Sequence, residues 1–303
     1  MSSVSRRLAI GATAIILAAS LRPTPAAAVE SFLPYLAGLA VGVPVGVLPP
    51  PGLYFANDVD WVNGTIRNGD GHSIAQISAA VELPQLLYAP GVKILGASYA
   101  FLVVAPSSVV AIRSPAGGET ATGIFNPYVG PLNLSWKLRK DLFVSASFGV
   151  YLPVGSYDRA APLNIANNFA TFEPALGVTY LKDGWDLSAS FRTDFNTENT
   201  ATHYYSGDLF TLDATAVRTF GKWTSGLGGY IVDQFTNDTI YGVDLPASPS
   251  IGLGRRVFKT AVGPILGYNF GKSTLQISYL RDVVSRNYGG GDNVFLRFTT
   301  ALE

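Results

Sequence analysis

The sequence WDLSASFRTDF at residues 185–195 shows most clearly the pattern that indicates the fold class. Its apolar and polar side chains alternate with a period of two. Neighbouring side chains of a strand point to opposite faces, so this period predicts a β-strand with one apolar and one polar face. The stretches LFVSASFGVYL (residues 142–152) and FEPALGVTY (residues 172–180) show the same alternation.

Extending this pattern in both directions predicts about twelve strands. They cover residues 52–63, 74–83, 91–105, 122–138, 141–152, 169–182, 184–195, 206–220, 222–235, 254–271, 272–284 and 291–302. Short Asp/Gly turns, as at residues 182–184, alternate with longer polar connections, as at residues 107–121 and 236–253. Short turns at one end and long loops at the other are typical of an up-and-down transmembrane barrel. The alternative is a soluble β-sandwich or periplasmic β-protein.

The N-terminus has the three parts of a secretory signal peptide. Arg6 and Arg7 precede an apolar run over residues 8–21, and Ala26, Ala27 and Ala28 provide a small-residue cleavage site. The run is shorter than the ~20 residues that span a bilayer as a helix. We therefore predict a signal peptide over residues 1–28, which would export the chain to a Gram-negative envelope.

Composition excludes several classes of function. The 303 residues contain 21 Lys and Arg, 21 Asp and Glu, no Cys and two His. A balanced charge without a basic cluster is not that of an electrostatic nucleic-acid binder. Without Cys the chain has no disulfide, thiolate metal site or iron–sulfur cluster, and two His are too few for a multi-His metal centre. We therefore expect no cofactor, no metal and no nucleic-acid partner.

The polar faces of the predicted strands carry a set of ionisable side chains. A charged side chain in lipid costs about 2–4 kcal/mol, so these groups are expected to face the lumen. They are Glu82, Glu173, Asp186, Arg192, Asp194, Asp213, Lys259 and Arg297. Two interpretations are open: a mixed-charge constriction on the path of a solute, or carboxylate–arginine networks that only fill the barrel.

Residues 29–51 are apolar and rich in Gly and Pro, without the period of a strand. One hypothesis is a plug that enters the lumen and presents Leu33, Tyr35, Leu39 and Val41 to an apolar solute. The alternatives are a first pair of strands or a mobile periplasmic tail. Domain organisation is therefore signal peptide (1–28), N-terminal segment (29–51) and barrel (52–303).

No catalytic residue is predicted. His203 stands near Ser206 and Asp208, and His72 precedes Ser73, but neither His lies within an alternating strand. An outer-membrane lipid hydrolase would need a Ser–His pair on the barrel wall. The alternating last strand, residues 291–302, is of the kind that barrel-assembly machinery is expected to recognise.

Several short motifs resemble those of one family of outer-membrane proteins. They are PPPGLYF (49–55), LYAP (87–90) with LGASY (95–99), THYYSGD (202–208), GY (229–230) with QFTND (234–238), and GP (263–264) followed by Tyr268. In this order they resemble the "MetA-pathway of phenol degradation" transporter family. The resemblance implies an outer-membrane barrel that passes aromatic or other hydrophobic compounds, and it supplies no catalytic residue.

The sequence thus predicts an all-β, transmembrane antiparallel barrel of about twelve strands in the outer membrane. Its expected function is passive diffusion of small hydrophobic or aromatic compounds, with these solutes, outer-membrane lipid and the assembly machinery as partners. The first alternative is a structural or adhesive barrel with a closed lumen, and the second is the lipid hydrolase.

Overall fold

The computed structural model describes residues 32–245 and 256–302. Twelve long strands form the wall, and two of them are interrupted. They are β1 (Gly52–Arg67), β2 (Ser73–Ala89), β3 (Ala97–Val104 and Ser107–Ser114), β4 (Gly117–Ile124 and Tyr128–Lys137), β5 (Leu142–Tyr151), β6 (Thr171–Lys182), β7 (Trp185–Asn196), β8 (Leu209–Phe220), β9 (Trp223–Gln234), β10 (Phe258–Asn269), β11 (Ser273–Arg286) and β12 (Gly289–Ala301). The predicted signal peptide, residues 1–28, lies outside the described residues.

Every strand pairs antiparallel with the next, and β12 pairs with β1 to close the barrel. The closing ladder runs without a break from Tyr54 opposite Ala301 to Ile66 opposite Gly289. A closed barrel satisfies the backbone hydrogen bonds that an open sheet edge would leave unpaired in lipid. The predicted fold class and strand number are confirmed.

The alternation in the sequence divides the outer wall from the lumen. On β6, Glu173 and Thr179 are fully buried inside, whereas Leu176 on the opposite face is 61% exposed. On β7, Ser188 and Ser190 face inward while Trp185, Leu187 and Phe191 face outward. Large exposed apolar side chains around a barrel are what a lipid-facing wall requires.

Tight turns mark one end of the barrel, here named the turn end. The connection between β6 and β7 is Asp183 and Gly184, both with positive φ, as a two-residue hairpin with a type I′ turn requires. The turns between β8 and β9 and between β10 and β11, residues 221–222 and 270–272, lie at the same end. The opposite end, here named the loop end, carries the long connections at residues 152–170, 197–208 and 235–257.

The prediction that residues 107–121 form a loop is wrong. They belong to the second segment of β3 and the first segment of β4, which pair from Ser107 opposite Ile124 to Ser114 opposite Gly117. The hairpin extends the wall at the loop end, where many of its residues are exposed. Its outer strand carries Gly, Thr and Glu, so its composition resembles that of a loop although the backbone pairs as a sheet.

At the loop end, the connections at residues 197–208 and 235–245 join each other. Their two-residue strands Tyr204–Tyr205, Thr239–Ile240 and Val243–Asp244 form a small separate sheet. The carboxylate of Asp238 accepts hydrogen bonds from the Tyr204 hydroxyl (2.6 Å), the Gly207 amide (2.9 Å) and the Gln234 side chain (2.6 Å). This carboxylate therefore ties the two connections together.

Within the described parts of the chain, no helix is long and apolar enough to cross a membrane.

Candidate functional site

Residues 32–50, here named the inner segment, run through the barrel from the loop end to the turn end. At the loop end, the Phe32 carbonyl accepts a hydrogen bond from Asn167 and the Leu33 amide donates to the Tyr288 hydroxyl. At the turn end, the Gly46 amide donates to the Thr179 hydroxyl (2.8 Å) and Ser135 donates to the Gly46 carbonyl (2.7 Å). The chain then leaves the lumen and starts β1.

Asp213 on β8 holds the middle of the inner segment. Its carboxylate accepts hydrogen bonds from the Gly38 amide (3.0 Å), the Ala40 amide (3.1 Å) and the Tyr35 hydroxyl (2.5 Å). Gly38 has a φ of 94°, a conformation that suits glycine, and the turns around it leave backbone amides that need an acceptor. One buried carboxylate therefore fixes three donors of the segment at once.

Arg297 on β12 binds the inner segment from the other side. Its guanidinium donates to the carbonyls of Leu39 and Val41 and forms an ion pair with Asp58 on β1 (Nε to Oδ1, 2.7 Å). The Asp58 partner keeps this buried cation neutralised, as a charge away from water requires.

The inner segment fills one side of the lumen, here named the packed half, formed by β8–β11. Ala37 and Val41 pack there among buried apolar side chains of the wall. These wall residues are Leu209, Val217, Tyr230, Val232, Val257, Ala261, Ile265, Leu280 and Phe295. The fit is close, because a Cβ atom added to Gly38 would lie 2.8 Å from the Leu280 side chain.

A cavity of about 830 Å³ lies on the other side of the inner segment, mainly along β1–β7 and β12, here named the open half. Its wall is mainly apolar. The residues that line it on β2 and β3 include Ile77, Ala79, Val81, Leu83, Leu102 and Val104, and the inner segment contributes Leu33, Tyr35, Leu36 and Leu39. This volume is in the range of small-molecule sites in proteins.

One corner of the cavity is polar, and it consists of Arg192, Glu173, Tyr35, Tyr128 and Tyr151, here named the Arg192 corner. Arg192 on β7 forms an ion pair with Glu173 on β6 (NH1 to Oε1, 2.7 Å) and stacks over the Tyr35 ring at 4.5 Å. The Tyr151 hydroxyl donates to Glu173, and the Tyr128 and Tyr151 rings are 4.8 Å apart. The corner thus combines three phenol rings with one guanidinium.

Seven of the eight predicted lumen residues are placed on the inner face. Glu173 and Arg192 line the cavity, Asp194 lies beside Glu173 on the adjacent strand, and Asp213 holds the inner segment. Lys259 forms an ion pair with Asp282 (3.2 Å) and its ammonium stands over the Tyr230 ring. Arg297 binds the inner segment, and Asp186 bonds to Ser188 near the turn end.

The prediction that Glu82 faces the lumen is wrong. Glu82 is exposed on the outer wall, where it accepts a hydrogen bond from Asn57 (3.0 Å), while its neighbour Leu83 packs inside against Tyr35. The prediction assumed a polar inner face on every strand. On β2 the inner face is apolar because it lines the cavity, so the parity is reversed.

Three carboxylates of the lumen are not among the residues predicted from the sequence. Asp58 and Asp60 on β1 are fully buried, and Asp282 on β11 pairs with Lys259. The alternation of Asp58 and Asp60 with Val59 and Trp61 carried the signal, since it places both acids on one face of the strand.

The two histidines lie away from the lumen. His203 contacts Glu198 (Nδ1 to Oε1, 2.9 Å) and stacks on the Tyr241 ring, and His72 is exposed in the turn between β1 and β2. Within residues 32–245 and 256–302, no group of three or more His, Asp or Glu side chains has the arrangement of a metal site.

Comparison with known proteins gives one family. The family model described as "Putative MetA-pathway of phenol degradation" matches residues 64–298. No curated protein sequence matches the chain.

Among solved structures, the fold is similar to the COG4313 outer membrane channel from Pseudomonas putida F1, with a TM-score of 0.74 at 15% identity, covering 86% of this chain and 98% of that one. It is also similar to the translocator domain of the autotransporter NalP from Neisseria meningitidis, with a TM-score of 0.50 at 10% identity over 84% of this chain and 90% of that one. At these identities the similarity shows the outer-membrane barrel fold.

Proposed function

Since the chain belongs to this phenol-degradation family, whose model spans most of it, we propose that it is an outer-membrane channel for passive diffusion of small aromatic or hydrophobic compounds. The observation that carries the proposal is the cavity of about 830 Å³ beside the inner segment, inside a closed transmembrane barrel. Export by the signal peptide and insertion by barrel-assembly machinery are part of the same proposal.

The lining of the cavity favours apolar solutes. Ile77, Val81, Leu83 and Val104 expose aliphatic carbon to the lumen, where a porin has polar side chains. Moving apolar surface from water into such a site gains roughly 25 cal/mol per Å², so a monoaromatic ring gains a few kcal/mol on entry. An inorganic ion gains nothing there and loses its hydration.

The inner segment acts as a plug in this proposal. It is tied to the wall by side chains from opposite sides of the barrel, including Asp213, Thr179 and Arg297, and it packs tightly in the packed half. These contacts hold individual backbone groups of the segment to separate strands, whereas the strands of the wall share continuous ladders of backbone hydrogen bonds. In this proposal the segment shifts to let a solute pass, while the wall stays closed.

The test is single-channel conductance of the refolded protein in a planar bilayer, with and without phenol, together with phenol uptake by porin-deficient Gram-negative cells that produce it. We expect rare, discrete openings that phenol changes in frequency or blocks, and uptake above that of cells without the protein. A barrel that inserts and folds but changes neither current nor uptake would contradict the proposal and favour a structural barrel.

A further inference from the structure

The Arg192 corner differs in chemistry from the rest of the cavity. Leu83 and Val104 pack with the three phenol rings of Tyr35, Tyr128 and Tyr151, so the corner has an aromatic and aliphatic floor. Arg192 enters this floor from β7, with 20% of its side chain exposed, whereas the Glu173 carboxylate behind it is fully buried. The guanidinium is therefore the more accessible of the two charged groups.

The hydrogen-bond inventory of the corner leaves some N–H donors of Arg192 unused. Glu173 accepts from Arg192 NH1 (2.7 Å) and from the Tyr151 hydroxyl (3.3 Å). The Tyr35 hydroxyl is committed to Asp213. Arg192 has five N–H donors, and its buried Nε finds no acceptor within the described part of the chain. Arg192 uses NH1 for Glu173, so the exposed part of its guanidinium has N–H donors that no acceptor among the described residues occupies.

From this inventory we infer that the Arg192 corner is a binding subsite for an aromatic ring that carries an acceptor oxygen. The ring packs among Tyr35, Tyr128 and Tyr151, and the oxygen accepts a hydrogen bond from the Arg192 guanidinium. A hydroxyl or ether oxygen on the ring meets this requirement, and a pure hydrocarbon does not. The inference rests on the proposed function, because the ligand is a solute of the channel.

Burial of the ring and hydrogen bonding to the oxygen can be measured separately with three probes of similar size. Toluene has the ring alone, anisole adds an acceptor oxygen, and phenol adds an oxygen that both accepts and donates. If Arg192 supplies the hydrogen bond, anisole and phenol bind through it equally, because only their acceptor capacity is used.

The experiment is ligand-observed NMR binding to the purified full chain in micelles, with protein-free micelles subtracted. Arg192→Gln removes the guanidinium, and the double variant R192Q/E173Q also removes the buried Glu173 carboxylate, so that this charge is not left unpaired. Arg218→Gln is the matched control, because Arg218 is an exposed arginine on the next strand that stacks on the outer-wall rings of Trp185 and Phe220.

We expect both Arg192 variants to weaken phenol and anisole binding about tenfold or more, the effect of losing a hydrogen bond to a charged group. Toluene binding should change less than about twofold, and R218Q should bind all three like the unmodified protein. Equal effects on all three probes, an effect on phenol without anisole, or no effect would overturn the subsite while leaving the channel intact. If the unmodified protein binds none of the three rings, the proposed function fails as well.

Discussion

The packed half and the open half of the lumen face each other across the inner segment, and they are built on opposite principles. Along β8–β11 the segment meets Leu280, Tyr230 and Ile265 so closely that one added methyl group at Gly38 has no space. Along β1–β7 the same segment borders a cavity of about 830 Å³. The asymmetry shows that the inner segment packs closely against one side of the wall and leaves a site on the other.

Charge follows the same division. In the packed half, Asp213 binds the inner segment directly through three hydrogen bonds. In the open half, Arg192 is held by Glu173 and turns part of its guanidinium toward the cavity. Anchoring and solute contact are therefore carried by different residues, which makes them separable by mutation.

The largest effect is expected when the anchor of the packed half is removed. Asp213→Ala leaves the Gly38 and Ala40 amides and the Tyr35 hydroxyl without their acceptor, which costs about 3 kcal/mol in the seated state of the segment. The population of displaced segments should rise roughly a hundredfold, measured as open probability in single-channel recordings. Asp233→Ala, on the exposed face of β9, is the control. Equal open probability in both variants would contradict the role of Asp213.

A second effect compares leucines of the two halves. Leu280 is fully buried in the packed half, whereas Leu83 borders the cavity of the open half. Leu280→Ala should cost about 2–5 kcal/mol because it leaves a new void. Leu83→Ala should cost less than half as much, since it only enlarges a space already present. Urea unfolding of both variants in lipid vesicles measures the two costs, and equal values would refute the distinction between the halves.

A smaller effect tests how closely the inner segment packs against the wall at Gly38. Gly38→Ala places a methyl group 2.8 Å from the Leu280 side chain at a φ of 94°, which should cost about 2–3 kcal/mol. In a Leu280→Ala background the closest contact disappears, and the backbone strain and the contacts with Tyr230 (3.1 Å) and Phe295 (3.3 Å) remain. The cost of G38A should therefore fall by about 1 kcal/mol in the double variant. Additive costs would show that the two residues do not touch.

The smallest effect concerns the loop connections above the packed half. Burial raises the pKa of Asp238 to about 6, against the lowering effect of hydrogen bonds from Gly207, Tyr204 and Gln234. Because the folded state binds the Asp238 proton more tightly than the unfolded state does, protonated Asp238 stabilises the folded connections. This contribution is complete below about pH 4 and is lost as the pH rises through about 6.

Between pH 4.5 and 7.5 the contact that Asp238 makes between the two loop connections should weaken by about 1–2 kcal/mol. Hydrogen exchange of the Gly207 amide, corrected for its intrinsic pH dependence, measures the change. Asp238→Asn should abolish the pH dependence, and an unchanged dependence in that variant would assign it to another group.

The wall of the barrel could be predicted from the sequence because the alternation and the turn residues that define each strand lie within that strand or next to it. Alternation alone separates Leu176 from Thr179, and the Asp183–Gly184 turn needs no distant partner. Where the period was applied with the wrong assumption about polarity, at Glu82, the structure reverses the assignment, since an apolar cavity makes the inner face of β2 apolar.

The lumen was less accessible to sequence reasoning because its contacts join residues far apart in the chain. Which carboxylate neutralises Arg297 depends on the closure of β12 onto β1, which brings Asp58 beside it. The path of the inner segment has no period, and it follows from hydrogen bonds to single side chains such as Asp213 and Thr179. Such contacts are set by the closed barrel as a whole.

The role of the inner segment as a plug can be tested by fastening the segment to the wall. The chain has no cysteine, and a Cβ atom at Gly46 would lie 3.0 Å from the Cβ of Thr179 and 2.8 Å from the Phe143 carbonyl oxygen and the Thr179 amide nitrogen. A Gly46→Cys and Thr179→Cys pair can therefore form a disulfide once the backbone of the segment moves slightly away from β5 and β6. Single-channel conductance of this double variant should be absent when oxidised and appear on reduction, with phenol uptake following the same pattern. Equal conductance and uptake in the oxidised and reduced forms would show that the inner segment does not act as a plug.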